Sequence, residues 1–212
     1  KMGLRPDDDA PLLFWPSRLD PVQKGPEILT DILAELIAKY ATHGMQIAFV
    51  ADGSHGHHIK DIISMANLEG LVSIRSFDEN LSRLGYAASD FMLMPSKFEP
   101  CGLTQMIALK YGSLPIVHRT GGLKDTIEHL NTVNSQGNGF VFEDYDSQAL
   151  NWAIQCAMDF YQLPPELKQR ERERVMHEAH SRFTHQKTAS QYINLYEEML
   201  GKPLHSEESP SI

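Results

Sequence analysis

The chain has 212 residues, of which 42% are hydrophobic, and carries a formal net charge of −9 with charges of both signs along its length. Because a nucleic-acid-binding face needs a concentrated basic stripe, this pattern argues against a nucleic-acid partner. The two cysteines, Cys101 and Cys156, are too few for a disulfide framework and fit a reducing, cytoplasmic setting. No apolar run approaches the roughly 20 residues of a membrane span, which argues against a membrane protein.

Short apolar runs alternate with amphipathic helix patterns along the first two thirds of the chain. After a polar linker at residues 1–10, the apolar runs predict six strands, at 12–15, 46–51, 72–75, 91–94, 114–117 and 139–142. The helical periodicities between them predict helices at 27–40, 57–67, 81–88, 103–111 and 123–130.

The last third of the chain is predicted to be helical. Asp146 is placed to cap a helix that the pair Pro164-Pro165 ends, and a charged surface helix is predicted at 166–179. Thr184 can cap the last helix. The predicted organisation is a linker, one domain, a closing helix and a tail, at 1–10, 11–183, 184–200 and 201–212.

Strands that alternate with helices form a parallel sheet with helices on both faces. The predicted class is therefore α/β, a Rossmann-like sheet of about six strands with additional C-terminal helices. Ligands of such sheets bind beyond the carboxyl ends of the strands, where the strand order reverses. Side chains in the loops that follow strands should gather at this rim. These candidates are Arg18, Lys24, Phe77, Glu99 and Gly121.

One of these loops, at residues 95–103, carries the most specific pattern. Glu99 follows the strand at 91–94, and Gly102 lets a ligand approach the backbone. The helix that comes next would point its first amide N–H groups toward the same place. A carboxylate beside such amides suits a ligand with hydroxyls next to a negative group, such as a sugar phosphate. An ordinary strand–loop–helix connection with an incidental glutamate is the alternative.

Three segments of this region form a long, ordered motif. They read Phe-Glu-Pro-Cys-Gly-Leu-Thr-Gln at 98–105, Leu-Lys-Tyr-Gly-Ser-Leu-Pro at 109–115 and Arg-Thr-Gly-Gly-Leu-Lys-Asp-Thr at 119–126. The motif closely resembles the bacterial glycogen synthase and plant starch synthase family. Other retaining glycosyltransferases carry a Glu-X7-Glu pattern, but its second glutamate is replaced here by Ile107, which favours the glycogen and starch synthase branch.

The resemblance implies one half of a GT-B fold, in which two Rossmann-like domains face each other across the active site. This chain resembles only the donor-binding domain, so the implied partner is an N-terminal GT-B domain. The implied reaction moves glucose from ADP-glucose or UDP-glucose to the non-reducing end of an α-1,4-glucan with retention of configuration, without a metal or other cofactor. We expect the chain to bind nucleotide sugar weakly and to be inactive alone. The implied location is cytoplasmic in a bacterium or plastidic in a plant.

Three residues form the predicted catalytic set. Arg18 and Lys24 could neutralise a diphosphate leaving group as its charge develops, although a solvated surface pair is the alternative from the residues alone. The resemblance implies the diphosphate-binding role, and Lys24 keeps the family's Gln-Lys-Gly context in a loop that is one residue longer. It also implies that Glu99 binds sugar hydroxyls and supports charge at the reacting carbon.

The resemblance implies substrate-binding roles for the residues that follow Glu99. Cys101, Gly102 and Leu103 would offer backbone amides to the sugar, and Thr104 would offer its hydroxyl to the phosphate. A reactive thiol is the alternative role for Cys101.

Further candidates lie in other loops. Phe77 stands where the family has an aromatic that stacks on the nucleotide base, an interaction worth about 1–3 kcal/mol per base; a core phenylalanine is the alternative. Gly121 and Gly122 open a helix and could approach a phosphate or the acceptor, or form only a tight turn. The histidine cluster at 55–58 lacks a second ligand pair at metal-site spacing and is predicted to be a surface loop.

Two other functions share this architecture. A sugar-nucleotide epimerase has the same rim but would not be expected to carry the motif at 98–105. A non-catalytic nucleotide-sugar or glucan-binding module is the other alternative, and the complete set of Arg18, Lys24 and Glu99 argues against it.

Overall fold

The computed structural model describes residues 1–204 and contains one six-stranded sheet. All strand pairs are parallel, and the strand order is β3-β2-β1-β4-β5-β6. The strands are β1 Leu12–Trp15, β2 Gln46–Val50, β3 Val72–Arg75, β4 Phe91–Met94, β5 Leu114–His118 and β6 Phe140–Phe142. The predicted α/β class with six parallel strands is confirmed.

Helices connect the strands, and further helices follow β6. Within the described residues they are α1 Pro26–Thr30, α2 Leu33–Lys39, α3 Gly56–Met65, α4 Glu79–Ala88, α5 Thr104–Tyr111, α6 Gly121–Thr126, α7 Ser147–Tyr161, α8 Pro165–Arg182 and α9 His185–Leu200. All four residues of β4 are buried. Both faces of this central strand are therefore covered, as expected for a parallel sheet.

The prediction of a single helix at 27–40 is wrong, because the segment forms two helices with a break at Asp31 and Ile32. The Ile32 N–H donates to the Leu29 carbonyl, three residues back, at 3.2 Å, whereas an α-helix bonds four residues back. Leu29 and Leu33 are buried on either side of the break. The apolar pattern therefore continues through Ile32, although the helical backbone is interrupted there.

The prediction that 166–179 is a charged surface helix is wrong for one side of α8. That side buries three residues, Glu171, Val175 and Ala179. The Glu171 carboxylate is fully buried and accepts hydrogen bonds from Ser135, Arg170 and Arg174. Burial alone would raise the pKa of Glu171, but these hydrogen bonds outweigh it and lower the pKa. One carboxylate of α8 is thus buried and paired with arginines of the same helix.

Asp146 and Thr184 cap α7 and α9 as predicted, with side chains that accept from the amides of Ala149 and Lys187. The helix α9 buries none of its residues. Its large apolar side chains are exposed, namely Tyr192, Ile193, Leu195, Tyr196, Met199 and Leu200. This helix is therefore attached to the domain by its start and presents an apolar side to its surroundings.

The segment predicted to be a linker, residues 1–10, lies against the sheet. Its Arg5 N–H donates to the Gly70 carbonyl at 2.8 Å. The predicted tail at 201–212 lies mostly outside the described residues, which end at residue 204. Up to that point, none of the helices combines the length and the apolar character needed to cross a bilayer.

Candidate active site

The strand order reverses between β1 and β4, which pair side by side in the middle of the sheet. Strands that follow β1 extend the sheet in one direction, and strands that follow β4 extend it in the other. In parallel sheets this reversal opens a crevice at the carboxyl ends of the two strands. The loops that border it here are residues 16–25 and 95–103, which hold the predicted catalytic set.

Lys24 and Glu99 come from these two loops and meet directly. Nζ of Lys24 donates to Oε2 of Glu99 at 2.5 Å, a short charge-assisted hydrogen bond. The exposed fractions of the two side chains are 14% and 9%, so the pair is largely shielded from water. Because a lysine ammonium has three donors, the bond to Glu99 leaves Lys24 able to bind an anionic oxygen as well. The sequence-based prediction that these residues share one rim is therefore supported by their contact.

The loop of Lys24 is fixed by a turn around Asp20. The Asp20 carboxylate accepts from the Val22 N–H at 2.9 Å, and its carbonyl accepts from the Lys24 N–H at 2.7 Å. Gly25 follows with a φ of 72°, and a Cβ built on it would lie 2.1 Å from the Pro95 carbonyl oxygen. The backbones of the two rim loops therefore touch, which requires a glycine at position 25.

Gly121 and Gly122 begin α6 and support the other loop. The Gly122 N–H donates to the Glu99 carbonyl at 2.9 Å. A Cβ on Gly121 would lie 2.1 Å from the Glu99 carbonyl oxygen, and one on Gly122 would lie 1.9 Å from that of Cys101. These glycines therefore allow α6 to pack on the backbone that carries Glu99. Their direct contact with a phosphate or an acceptor stays a prediction.

The backbone after Glu99 keeps its amides available. In the described part of the chain, the N–H groups of Cys101, Gly102 and Leu103 donate to no other protein group. The loop carbonyls are used instead, since Nε2 of the fully buried Gln105 donates to Gly102 at 2.8 Å and to Cys101 at 3.2 Å. Gln105 is a supporting residue that the motif contains and for which the sequence indicated no role.

The helix α5 begins at Thr104, one residue later than predicted, and Leu103 is its N-cap residue. Leu103 is 66% exposed, and Thr104 is half-buried in the first helical turn. The Cys101 side chain is also exposed. The predicted sugar-binding and phosphate-binding groups thus lie together at the positive end of an eight-residue helix, next to Glu99.

Arg18 and Phe77 line one depression of about 600 Å³. The Phe77 side chain is 61% exposed, so the alternative of a core phenylalanine is wrong. Arg18 is exposed and donates to the Gln23 side chain at 3.3 Å. Asp52, for which the sequence indicated no role, also lines this depression and connects two of its segments. Its carboxylate accepts from the Phe77 N–H at 3.3 Å, and its carbonyl accepts from the Leu19 N–H at 2.9 Å.

Tyr145 and His118 form hydrogen bonds that connect the segment after β6 to α1 and β5 to the loop at 95–103, a role that no motif indicated. The Tyr145 hydroxyl donates to Oε1 of Glu27, at the start of α1, at 2.6 Å. The ring nitrogens of His118 lie 2.9 Å from the Ser96 carbonyl and 3.2 Å from the Glu143 carbonyl. Burial, followed by the bond to Glu27, raises the pKa of Tyr145, so its hydroxyl remains a donor.

The histidine cluster predicted to be a surface loop is only partly exposed. His57 and His58 are exposed in α3, but His55 is half-buried, and its Nε2 lies 3.0 Å from the Thr30 hydroxyl. Burial, followed by the neighbouring His58, lowers the pKa of His55. Residues 1–204 contain no group of three or more side chains arranged to hold a metal ion.

A known protein family matches most of the chain. Residues 3–174 match the family described as glycosyl transferases group 1. The chain belongs to this family. The group 1 glycosyltransferase is 38% identical over 207 residues to the glycogen synthase of Rhodospirillum rubrum and 35% identical over 207 residues to that of Geobacillus thermodenitrificans. Both alignments cover 97% of the chain but only 40% and 41% of the relatives, so the chain spans about two fifths of their length.

Solved structures share the architecture of this glycosyltransferase. The catalytic domain of starch synthase IV from Arabidopsis thaliana, bound to ADP and acarbose, matches with a TM-score of 0.76 and 32% identity, covering 95% of this chain and 41% of that one. Sucrose-phosphate synthase from Thermosynechococcus elongatus matches with a TM-score of 0.67 and 25% identity, covering 92% of this chain and 47% of that one.

Proposed function

We propose that the chain is the donor-binding part of a glycogen or starch synthase. Such an enzyme transfers glucose from ADP-glucose or UDP-glucose to the non-reducing end of an α-1,4-glucan with retention of configuration. The observation that carries the proposal is the Lys24–Glu99 ion pair at the point where the strand order reverses. The similarity to glycogen synthases, and to a starch synthase bound to ADP and acarbose, supports this donor and this acceptor.

In this proposal, cations stabilise the leaving diphosphate. Lys24 keeps N–H donors beyond the one that binds Glu99, and Arg18 lies in the same loop at the edge of the depression that Phe77 lines. Negative charge grows on the diphosphate as the glycosidic bond breaks, and fixed cations in a shielded site lower the energy of that change. Phe77 supplies an exposed ring for the nucleotide base.

Glu99 and the amides beside it bind the glucose. A buried carboxylate accepts hydrogen bonds from sugar hydroxyls, and its negative charge also stabilises the positive charge that develops at the reacting carbon. The amides of Cys101, Gly102 and Leu103 donate to the sugar, and the Thr104 hydroxyl donates to the phosphate. We assign the incoming acceptor to the same face of the glucose as the leaving phosphate, as retention without a covalent intermediate requires.

The acceptor side of the active site belongs to a second domain in this proposal. The chain spans about two fifths of its glycogen synthase relatives, and the exposed apolar side of α9 offers a surface on which another domain can pack. The residues at 11–183 then form the donor-binding domain and α9 the connection. The proposed location is the cytoplasm of a bacterium or the plastid of a plant.

Calorimetric titration of the 212-residue chain with ADP, UDP and their glucose esters tests donor binding. We expect one nucleotide and its glucose ester to bind, and we expect no elongation of glycogen by the chain alone. The variant Glu99→Gln should weaken the glucose ester while leaving the nucleoside diphosphate within about twofold of its original affinity.

Absence of binding by all four compounds would contradict the proposal. Elongation of glycogen by the purified chain would instead show that the acceptor side is already present. Product analysis with labelled sugar nucleotide separates transfer to glucan from epimerisation of the sugar.

A further inference from the structure

A second depression, of about 630 Å³, lies beside β6, the edge strand of the sheet. Its lining shares no residue with the rim loops at 16–25 and 95–103. We propose that this depression is a second saccharide-binding site, which holds a segment of α-glucan away from the Lys24–Glu99 pair. The choice of an α-glucan among saccharides rests on the proposed function; the location and the chemistry of the site do not.

The floor of the depression contains a rigid aromatic platform. Trp152 of α7 is 52% exposed and stacks on the ring of His129, with centroids 5.4 Å apart and planes at 24°. Nδ1 of His129 accepts a hydrogen bond from the Val141 N–H at 3.2 Å, which fixes the ring against β6. The apolar C–H face of a pyranose ring packs well on an exposed indole, and the indole N–H can donate a hydrogen bond to a sugar hydroxyl.

The rim of the depression carries charges that nearly cancel. Two cations and three carboxylates line it, namely Arg119, Lys124, Glu128, Glu143 and Asp144. Arg119 and Glu143 form an ion pair at 2.6 Å. A balanced rim does not select an anion or a cation, but it places donors and acceptors side by side. Neighbouring hydroxyls of a neutral sugar need this arrangement, because each hydroxyl both donates and accepts.

An extended peptide paired with β6 is the competing occupant, because edge strands can recruit another strand. Two observations disfavour it. The strand is only three residues long, and its middle N–H, that of Val141, is already bonded to His129. A polymer that stacks on Trp152 and bonds to the charged rim needs no free backbone group of β6.

Native gel electrophoresis through glycogen tests this inference with the 212-residue chain. We expect glycogen to retard the chain, and we expect Trp152→Ala to weaken its affinity about fivefold, the effect of losing one aromatic contact. Trp152→Phe should retain most of the retardation. The matched control is Tyr192→Ala, which removes a similarly exposed aromatic, 56% exposed, from α9 and should change nothing. Thermal melting verifies that each variant is folded.

Titration of ADP into the same proteins separates this inference from the proposed function. We expect Trp152→Ala to bind ADP as the original chain does. Equal retardation of the original chain and Trp152→Ala would overturn the second site, and so would a chain that binds ADP but passes unretarded through glycogen. Retardation that depends on Trp152, in a chain that binds neither ADP nor UDP, would support the second site and contradict the proposed function.

Discussion

Replacing Gly122 with alanine should displace the loop that carries Glu99. The new Cβ would lie 1.9 Å from the Cys101 carbonyl oxygen, and real Cβ contacts begin near 3.0 Å. Because the atom in the way belongs to the backbone, the loop must move by about 1 Å or α6 must shift. Overpacking of this kind costs about 1–3 kcal/mol, and a backbone obstacle places Gly122→Ala near the upper end. For a chain of this size, about 3 kcal/mol lowers Tm by about 6–12 °C.

The same shift should weaken nucleotide-sugar binding. If the loop amides bind the sugar as proposed, a displacement of about 1 Å breaks their hydrogen bonds to it, and the loss of one or two such bonds weakens affinity about tenfold. Melting and calorimetric titration with ADP-glucose measure the two effects. The matched control is Gly56→Ala at the start of α3, whose Cβ would meet only side-chain atoms at 3.6 Å and which should therefore not lower Tm. If Gly122→Ala has the same Tm as the original chain, the packing argument is refuted.

Three further predictions concern groups that support the rim and the domain. The pKa of His55 in the folded protein lies below its usual 6.5, so the unfolded chain binds more protons as the pH falls below 6.5. The free energy of unfolding should therefore decline over this pH range. Urea unfolding of His55→Gln should show a smaller decline over the same range. Tyr145→Phe removes the hydrogen bond to Glu27 and should cost about 1–2 kcal/mol in the free energy of unfolding; an unchanged denaturation midpoint would contradict the network. Glu171→Gln leaves the two arginines beside a neutral amide and should cost about 3 kcal/mol, whereas the exposed Glu173→Gln should melt within about 1 °C of the original chain.

The sheet could be predicted closely because buried parallel strands are short, continuous apolar runs. The predicted bounds of β1, β3 and β4 match the structure, and those of the other strands differ by one residue at one end. The bounds of the helices were harder to predict, because hydrophobic periodicity reports which side chains are buried and not which backbone hydrogen bonds form. It runs unbroken through Ile32, where the helix is interrupted. The helix predicted at 123–130 ends at Thr126, because Ile127 is extended with a φ of −116° and a ψ of 128°.

The contact of Lys24 with Glu99 could be anticipated because both follow strands that meet at the reversal of strand order. The supporting roles of Tyr145 and His118 could not, since their hydrogen bonds join distant parts of the chain and leave no local pattern. Tyr145 and Glu27 are 118 residues apart. Glu171 shows a related limit: Arg170 and Arg174 flank it on α8, but the sequence does not show that the carboxylate is buried or that the distant Ser135 hydroxyl donates to it.

The most direct test of the central claim compares ADP with AMP as ligands of the original chain and Lys24→Met. If Lys24 binds the diphosphate, calorimetry should show ADP binding more tightly than AMP, and Lys24→Met should lose about tenfold or more of that preference. Lys97→Met, which removes an exposed lysine from the Glu99 loop, should keep it. The ratio of two affinities is insensitive to a partial loss of folded protein. An ADP preference that survives unchanged in Lys24→Met would contradict the account.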